Sequence, residues 1–174
     1  DLVLAVNFLG LRKFVTGIVG SVRRGGSVTV VASTAGTMWS ARQAELAGLL
    51  ATDSFEDGVV WYAAHPADYP PYNLSKEAAI AFVKVLSAQA WSTHGVRLNT
   101  VSPGPTETPI LTEFEASMGK DLLDGVRASV GRHATVADIA PVIEFLAGPG
   151  AGWVIGQDIQ VDGEARADYP LDSA

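Results

Sequence analysis

The stretch Pro70-Pro71-Tyr72-Asn73-Leu74-Ser75-Lys76 begins the longest helical pattern of the chain and decides how its neighbours are interpreted. Proline suits a first helical turn, because its φ is already helical and it lacks the N–H that this turn leaves unpaired. Residues 77–91 (EAAIAFVKVLSAQAW) continue the helical pattern. Tyr72 and Lys76 are four residues apart, so the phenol and the ammonium lie one turn apart on one helix face.

This spacing has a chemical and a purely structural interpretation. A nearby ammonium favours the phenolate and brings the pKa of a tyrosine, ordinarily about 10, toward a pH at which the group exchanges protons. The structural interpretation is a solvated pair, or a core ring beside a lysine whose amine reaches water. The other motifs of the chain favour the chemical interpretation.

Short β-branched runs lie on both sides of this helix. Residues 27–32 (SVTVVA) show no alternation, which predicts a parallel strand buried on both faces. The run ends at Ser33, at the carboxyl edge where open α/β sheets bind their ligands. Residues 96–101 (VRLNTV) predict the next strand, after Gly95 ends the helix, and residues 157–161 predict the last.

The motifs, in their order, resemble the short-chain dehydrogenase/reductase family over residues 7–163. They are Ser33-Thr34-Ala35-Gly36 after the first strand, the Tyr72/Lys76 helix, Asn99-Thr100-Val101-Ser102-Pro103-Gly104, and finally Gly156-Gln157 with Asp162-Gly163. The loop at 103–109 (PGPTETP) is similar to that of the bacterial 3α-hydroxysteroid dehydrogenase/carbonyl reductase subgroup. The resemblance implies an α/β fold with a Rossmann-like, doubly wound parallel sheet.

The resemblance also implies a catalytic set. Tyr72 would exchange a proton with the substrate oxygen, and Lys76 would lower the pKa of Tyr72 and hold the nicotinamide ribose. Ser33 would donate a hydrogen bond to the substrate oxygen, with Thr34 as the alternative hydroxyl. Asn7 would hold a water against the lysine; a surface or capping amide is the alternative for this residue. No metal site is expected, because His65, His94 and His133 match no metal-binding spacing.

The implied cofactor is NAD or NADP, and the implied substrate is a carbonyl compound or secondary alcohol, such as a steroid or another hydrophobic ketone. Non-redox members of the family, namely epimerases, lyases and cofactor-sensing binders, are the alternatives. The cofactor would contact the same helix and the loop that follows the next strand, at Tyr72, Lys76, Pro103, Gly104, Thr106 and Thr108.

In the family, the glycine-rich pyrophosphate loop and the residue that selects NAD or NADP lie before the region that corresponds to Asp1. We therefore expect residues 1–174 to be the C-terminal part of a single Rossmann-type domain. Without a glycine loop, such a fragment is expected to bind NAD or NADP weakly and to be inactive.

The amino-acid composition limits the partners and the cellular compartment that we expect for the protein. The net charge is −7 and no basic cluster exceeds Arg23-Arg24, so a nucleic-acid partner is not expected. The chain has no cysteine, which fits a reducing, cytoplasmic compartment. Arg12 and Lys13 interrupt the first apolar stretch, so a membrane span is not expected either.

Residues 37–69 form an insertion between the serine and the tyrosine, similar to one in the hydroxysteroid dehydrogenase subgroup. Loops this long are often lids or interface elements. We expect the insertion to cover the substrate mouth or to pack on a second subunit of a homo-oligomer, and its deletion to leave the catalytic geometry in place. The expectation rests on apolar side chains that need burial, namely Trp39, Leu46, Leu49, Leu50, Trp61 and Tyr62.

Helical patterns also cover residues 1–24 and 110–131. The second is interrupted by glycines and corresponds to a mobile substrate-binding flap in relatives; its acidic residues predict a solvated face rather than a carboxylate pair (Glu113, Glu115, Asp121 and Asp124). Thr135 and Asp138 have the spacing of a capping box, which predicts another helix start.

Overall fold

A computed structural model of the chain describes residues 2–65, 70–111 and 120–163. Its centre is a parallel sheet of three strands in the order β1-β2-β3. The strands are β1 (Ser27–Val31), β2 (Arg97–Pro103) and β3 (Asp158–Val161). Val31 pairs with Val101, and Pro103 pairs with Val161, so the carboxyl ends of all three strands lie at one edge.

The helices account for most of the remaining described residues. An N-terminal helical segment consists of α1 (Leu2–Leu4), a π-helical part (Ala5–Gly10), α2 (Leu11–Ile18) and a 3₁₀ turn (Val19–Ser21). A 3₁₀ turn (Thr34–Ser40) precedes α3 (Gln43–Leu50), α4 (Phe55–Ala64) and α5 (Pro71–Gln89), which continues into a π-helical turn (Ala90–His94). The last helices are α6 (Lys120–Val130), α7 (Val136–Ala147) and a 3₁₀ turn (Pro149–Ala151).

The predicted long helix over 72–94 is confirmed. Its helical conformation runs from Pro71 through His94, and Gly95 ends it with φ of 65°, a left-handed value that glycine adopts without steric strain. The buried face of α5 includes Leu74, Ala78 and Val83. These side chains join the larger of two apolar clusters.

Helices cover both faces of the sheet, as the doubly wound prediction requires. Val30 and Leu98 belong to the larger cluster, with α5 and the N-terminal helix. Val101 belongs to a second cluster, with Ile139 and Leu146 of α7. Since successive residues of a strand point to opposite faces, Leu98 and Val101 confirm that α5 and α7 pack on opposite sides. The fold is therefore α/β, with a Rossmann-like parallel sheet.

The strand positions are confirmed within two residues, but one burial prediction is wrong. β1 is not buried on both faces: within it only Val30 is buried, and Val31 is 51% exposed. The strand buried on both faces is β2, whose residues from Arg97 to Ser102 are all buried. The reason is position, because β2 is the middle strand and β1 lies at an edge of the described sheet.

The helix predicted over 1–24 is present from Leu2 to Ser21. By length and composition this segment is apolar enough to cross a membrane, so Arg12 and Lys13 do not by themselves exclude a span, contrary to expectation. One side of the segment packs in the core, where Phe8 and Leu9 are fully buried, whereas Val6 and Phe14 are exposed. Arg12 also donates hydrogen bonds to the carbonyl oxygens of Leu49, Thr52 and Ser54.

The described part of the insertion is largely helical, and two of its apolar residues are buried without a second subunit. Leu46 and Leu49 of α3 are fully buried within the chain's own core. The reason given for a lid or an interface is therefore wrong for these two residues. The expectation that deletion leaves the catalytic geometry in place is not supported, since removing α3 would uncover this core. Residues 66–69, the end of the insertion, lie outside the described residues.

The C-terminal half contains the predicted helix start at Thr135. The Thr135 side chain accepts from the backbone of Asp138, and the Asp138 carboxylate accepts from the Thr135 N–H. The capping box is thus confirmed. Of the acidic residues predicted on a solvated face, Asp124 is exposed, whereas Glu113 and Glu115 lie outside the described residues, as does the side chain of Asp121.

Candidate active site

Ser33 and Tyr72 meet where β1 ends and α5 begins. Ser33 has extended backbone geometry and caps the following 3₁₀ turn, its Oγ accepting from Ala35 N at 3.1 Å. Because that bond uses an oxygen lone pair, the Ser33 O–H remains available as a donor. Ser33 is hydrogen-bonded to the side chain of Tyr72. The structure therefore joins two of the predicted catalytic residues directly.

The turn after Ser33 lies very close to α5, and Gly36 makes this possible. A Cβ on Gly36 would lie 2.8 Å from the carbonyl carbon and 2.9 Å from the carbonyl oxygen of Lys76. Real Cβ atoms essentially never approach backbone atoms this closely. The absence of a side chain at Gly36 therefore lets the serine turn rest on the helix that carries Tyr72 and Lys76.

Replacing Gly36 with alanine is expected to destabilise the protein by about 1–3 kcal/mol, the usual cost of overpacking a tight contact. The measurement is urea unfolding followed by circular dichroism. Gly17→Ala is the matched control: Gly17 is exposed within α2, and nothing lies within 4 Å of the added Cβ. There alanine should stabilise by roughly 0.5–1 kcal/mol. Equal stability of Gly36→Ala and the parent would contradict the close contact.

Burial raises the pKa of Tyr72 above its ordinary value, because the partly buried site disfavours the phenolate; the hydrogen bond from Ser33 opposes this in part. Lys76 is not among the causes of this shift, and its predicted lowering of the pKa of Tyr72 stays a prediction. Lys76 Nζ lies 5.5 Å from the centroid of the Tyr72 ring, above the ring. At neutral pH Tyr72 is protonated, the state required of a proton donor.

Lys76 lies beside the end of β1. Its Nζ donates to the carbonyl oxygen of Val31 at 3.3 Å. Burial lowers the pKa of Lys76, since a desolvated ammonium is disfavoured. The lysine therefore connects α5 to the carboxyl end of the strand that delivers Ser33.

Asn7 reaches the site through Ser75. Asn7 Nδ2 donates to Ser75 Oγ at 3.4 Å, and Ser75 Oγ donates to the carbonyl oxygen of Tyr72 at 2.7 Å. Asn7 lies in the π-helical part of the first helix, a conformation that often occurs at functional sites. The predicted water-holding role of Asn7 stays a prediction, but its place beside the Tyr72/Lys76 turn is established.

The loop at 103–109 begins where β2 ends, beside the turn that holds Ser33. Ala32 N donates to Val101 O at 2.7 Å, which sets the two strand ends side by side. Gly104 N donates to Val161 O, and a Cβ on Gly104 would lie 2.9 Å from Asp162 Cβ. The Thr106 and Thr108 hydroxyls donate to carbonyl oxygens within the loop. The loop is thus rigidly held at the carboxyl edge of the sheet.

Sequence reasoning missed two structural contributors to this site. Ser75 was overlooked, although a polar residue between Tyr72 and Lys76 is a visible signal. Glu77 was overlooked too: its side chain is 2% exposed, and its Oε2 lies 3.3 Å from Arg42 Nε, at the start of the insertion helix α3. A charged residue before the apolar run AAIAFV is the signal that identifies such a buried pair.

The donors of the site fit one end of a nicotinamide cofactor. The Tyr72 hydroxyl and Lys76 ammonium are partly buried donors of the kind from which a ribose hydroxyl can accept a hydrogen bond. The contact of the loop at 103–109 with a carboxamide stays a prediction. No phosphate-binding glycine loop occurs among the described residues. Groups of three or more metal-ligating side chains are also absent from residues 2–65, 70–111 and 120–163.

A parallel α/β sheet with Ser, Tyr and Lys gathered at its carboxyl edge defines a class of doubly wound enzymes. Residues 41–163 match the family described as Enoyl-(Acyl carrier protein) reductase. The chain is 32% identical over 170 residues to coniferyl-alcohol dehydrogenase of Pseudomonas sp. (strain HR199), a match that covers 97% of this chain and 67% of that protein. It is 31% identical over 169 residues to 3-alpha-hydroxysteroid dehydrogenase/carbonyl reductase of Comamonas testosteroni, with coverages of 92% and 64%.

A solved structure agrees with these matches. The 3-alpha-hydroxysteroid dehydrogenase from Pseudomonas sp. B-0831, complexed with NADH, superposes with a TM-score of 0.78 at 26% identity, over 98% of this chain and 68% of that one. The chain belongs to the short-chain dehydrogenase/reductase family, and the predicted resemblance is confirmed. It spans about two thirds of the length of these relatives.

Proposed function

We propose that this protein is an NAD- or NADP-dependent oxidoreductase that interconverts a hydrophobic secondary alcohol or other carbinol and its carbonyl compound. The observation that carries the proposal is the Ser33–Tyr72 hydrogen bond with Lys76 one turn further along α5. These three residues come from two separate segments, and the close contact at Gly36 holds those segments together. Family membership supports the same conclusion.

Tyr72 and Ser33 carry the proton chemistry in this proposal. In the reducing direction, the carbonyl carbon would receive a hydride, which a bound nicotinamide cofactor would supply. Tyr72 gives its hydroxyl proton to the carbonyl oxygen, which becomes the alcohol O–H. The Ser33 O–H donates a hydrogen bond to that oxygen as negative charge develops on it, which stabilises the transition state. In the oxidising direction, the Tyr72 phenolate takes the same proton back.

Lys76 and Asn7 support the proton transfer by Tyr72. The Lys76 ammonium is a cation near Tyr72, and it favours the phenolate that remains after the proton has left. Asn7 and Ser75 hold the first turn of α5 in place, through Ser75 Oγ on the Tyr72 carbonyl. Pro103, Gly104, Thr106 and Thr108 form the loop that would contact the nicotinamide. The cofactor performs the redox chemistry, and these residues orient it.

The test of this function is a spectrophotometric assay of the longest natural chain that contains residues 1–174, since tight cofactor binding is expected to need a glycine-rich pyrophosphate loop. NAD⁺ and NADP⁺ are each supplied with coniferyl alcohol or with a 3α-hydroxysteroid, the substrate types in the names of two relatives. We expect the absorbance of reduced nicotinamide to rise with at least one pair. Binding of cofactor without turnover of any alcohol or ketone would instead favour a cofactor-sensing binder. A changed product without net reduction of the cofactor would favour an epimerase or lyase.

Replacing Lys76 with methionine is expected to move the pH profile of alcohol oxidation to higher pH. Oxidation requires the Tyr72 phenolate, and removing the cation makes that form harder to reach. Burial lowers the pKa of Lys76, so its charge is present below that pKa and is lost as pH rises through it. The rates of alcohol oxidation by the variant and the parent should therefore differ most on the acid side of the pH profile.

Lys84→Met is the matched control for this prediction. Lys84 lies two turns further along α5, where its Nζ donates to the Gly156 carbonyl and lies over Trp39. Its loss removes an equal charge from the same helix and should leave the position of the profile unchanged. An unshifted profile in Lys76→Met would show that this lysine does not tune Tyr72.

We further propose that the protein is cytoplasmic, acts without a membrane partner and assembles as a homo-oligomer. The absence of cysteine supports a reducing compartment, and the buried Phe8 and Leu9 support a core role for the N-terminal helix. Large apolar side chains remain exposed on helices and support an oligomer, among them Val6, Phe14, Val60 and Val85. Light scattering coupled to size exclusion tests the assembly, and a monomer at micromolar concentration would contradict it.

A further inference from the structure

The proposed nicotinamide loop is held by backbone pairing to a distant segment. Thr106 forms a parallel bridge with Ala134. Ala134 N donates to Pro105 O at 2.9 Å, and Glu107 N donates to Ala134 O at 2.8 Å. The middle of the loop is therefore fixed in place by residue 134, in addition to the contact of Gly104 with β3.

Helix α6 ends just before the segment that pairs with the loop. Gly131 follows the helix with φ of 88°, which lies in the left-handed region. The paired residue, Ala134, is three positions after Gly131. A contact between the neighbours of Ala134 and α6 therefore fixes this helix relative to the loop.

His133 makes that contact. It directly precedes Ala134, and it is 7% exposed. Its Nε2 lies 3.1 Å from the carbonyl oxygen of Leu123, a buried residue of α6. A carbonyl oxygen can only accept, so Nε2 carries the proton in this contact. The imidazole thus links α6 to the segment that pairs with the loop.

The surrounding residues hold His133 in a fixed place. Arg132 Nη1 donates to the His133 carbonyl at 2.9 Å and to Asp138 Oδ2 at 2.7 Å. Asp138 closes the capping box at the start of α7. The backbone of residues 132–135 is therefore anchored to α7, while the His133 side chain reaches in the other direction to α6.

We propose that His133 is a positioning residue of the nicotinamide loop: its hydrogen bond to α6 fixes the segment whose backbone pairs with Thr106 and Glu107. The inference rests on the proposed function only for its effect on cofactor binding. The effect on the loop itself follows from the contacts alone. Loss of the bond should loosen the pairing at residue 134 and leave Tyr72 and Ser33, on other elements, undisturbed.

The test compares two amide side chains at position 133. Glutamine can place its amide N–H near the position of Nε2 and reach the Leu123 carbonyl, whereas asparagine ends near Nδ1 and cannot. Hydrogen exchange of the Glu107 and Ala134 amides reports the pairing directly. In H133N we expect these amides to exchange about fivefold faster, the factor that corresponds to one modest hydrogen bond. H133Q should exchange like the parent.

Cofactor titration gives the second readout. NADH binding, followed by fluorescence, should weaken about fivefold in H133N and recover in H133Q. The pH profile of alcohol oxidation, which depends on Tyr72, should keep its position in both H133N and H133Q. If the longest natural chain that contains residues 1–174 binds no NADH but the exchange pattern is as expected, the proposed function fails and the positioning of the loop stands. Parent-like exchange in H133N, or equally fast exchange in H133Q, would overturn the positioning role.

Two further variants separate positioning from general destabilisation. S54A removes the cap of α4, where Ser54 Oγ accepts from Asp57 N, and it touches neither α6 nor residues 132–135. In this variant the Glu107 amide should stay as protected as in the parent. Exchange of this amide as fast as in H133N would overturn the proposal. H133L fills the space of the ring without a donor, and serves if H133N does not fold. Its Glu107 and Ala134 amides should exchange about as fast as we expect for H133N. Protection like that of the parent in H133L would overturn the role of the hydrogen bond.

Discussion

Turnover should fall by about 10²–10⁴-fold when Tyr72 is replaced with phenylalanine, the usual contribution of a positioned general acid. The substitution keeps the ring and its packing on Lys76 but removes the transferable proton. Burial raises the pKa of Tyr72, so the parent is a protonated donor across the neutral range. The loss should therefore appear in turnover of the carbonyl substrate at neutral pH, with cofactor binding nearly unchanged.

Tyr62→Phe is the control for this substitution. Tyr62 packs half-buried against the main apolar cluster, on α4, and its hydroxyl has no role in the proposed chemistry. Its removal should leave turnover within about a factor of two. Near-normal turnover in Tyr72→Phe would remove Tyr72 from the mechanism. Tyr62 and Tyr69 would then need testing, although Tyr69 lies outside the described residues.

Ser33→Ala is expected to lower turnover by roughly 10²–10³-fold, the usual effect of losing one donor to a developing oxyanion. Alanine also loses the hydrogen bond to Tyr72 and the bond that Ser33 Oγ accepts from Ala35 N. The melting temperature must be measured beside the rate, because the second bond supports the turn rather than the chemistry. A rate that falls without a matching loss of stability assigns the effect to the hydroxyl.

Two substitutions control for the Ser33 prediction. Ser33→Thr keeps a hydroxyl on an extended residue and should retain most of the turnover. Thr34→Val removes the alternative hydroxyl of the same turn and should leave the rate nearly unchanged. A large loss in Thr34→Val together with a small loss in Ser33→Ala would reverse the assignment of the two hydroxyls.

The sequence predicted the order of elements well, because local signals coincide with tertiary ones in this chain. Pro71 at the start of α5 and Gly95 at its end fix that helix from both sides. The β-branched runs at 27–32 and 96–101 have no competing helical period. The end of the first run therefore placed Ser33 at the carboxyl edge of the sheet, whereas the pairing of Ser33 with Tyr72 was implied by the family resemblance.

What the sequence did not predict depends on the neighbours of each residue. The pKa of Tyr72 is raised by burial and lowered in part by the hydrogen bond with Ser33, and neither cause can be derived from a four-residue spacing. The exposure of Val31 depends on β1 having only one neighbouring strand among the described residues. The burial of Leu46 and Leu49 depends on α3 packing against α5.

The Arg42–Glu77 pair couples the insertion to helix α5. Glu77 lies beside Lys76 on α5, and α3 brings Arg42 over it and excludes water. A carboxylate at this depth is tolerable only with its cation, so removing one partner costs far more than replacing both. A variant without the insertion would therefore need an apolar residue at position 77. The insertion and the residue beside Lys76 depend on each other energetically, so transplanting this segment into a relative requires transplanting Glu77 with it.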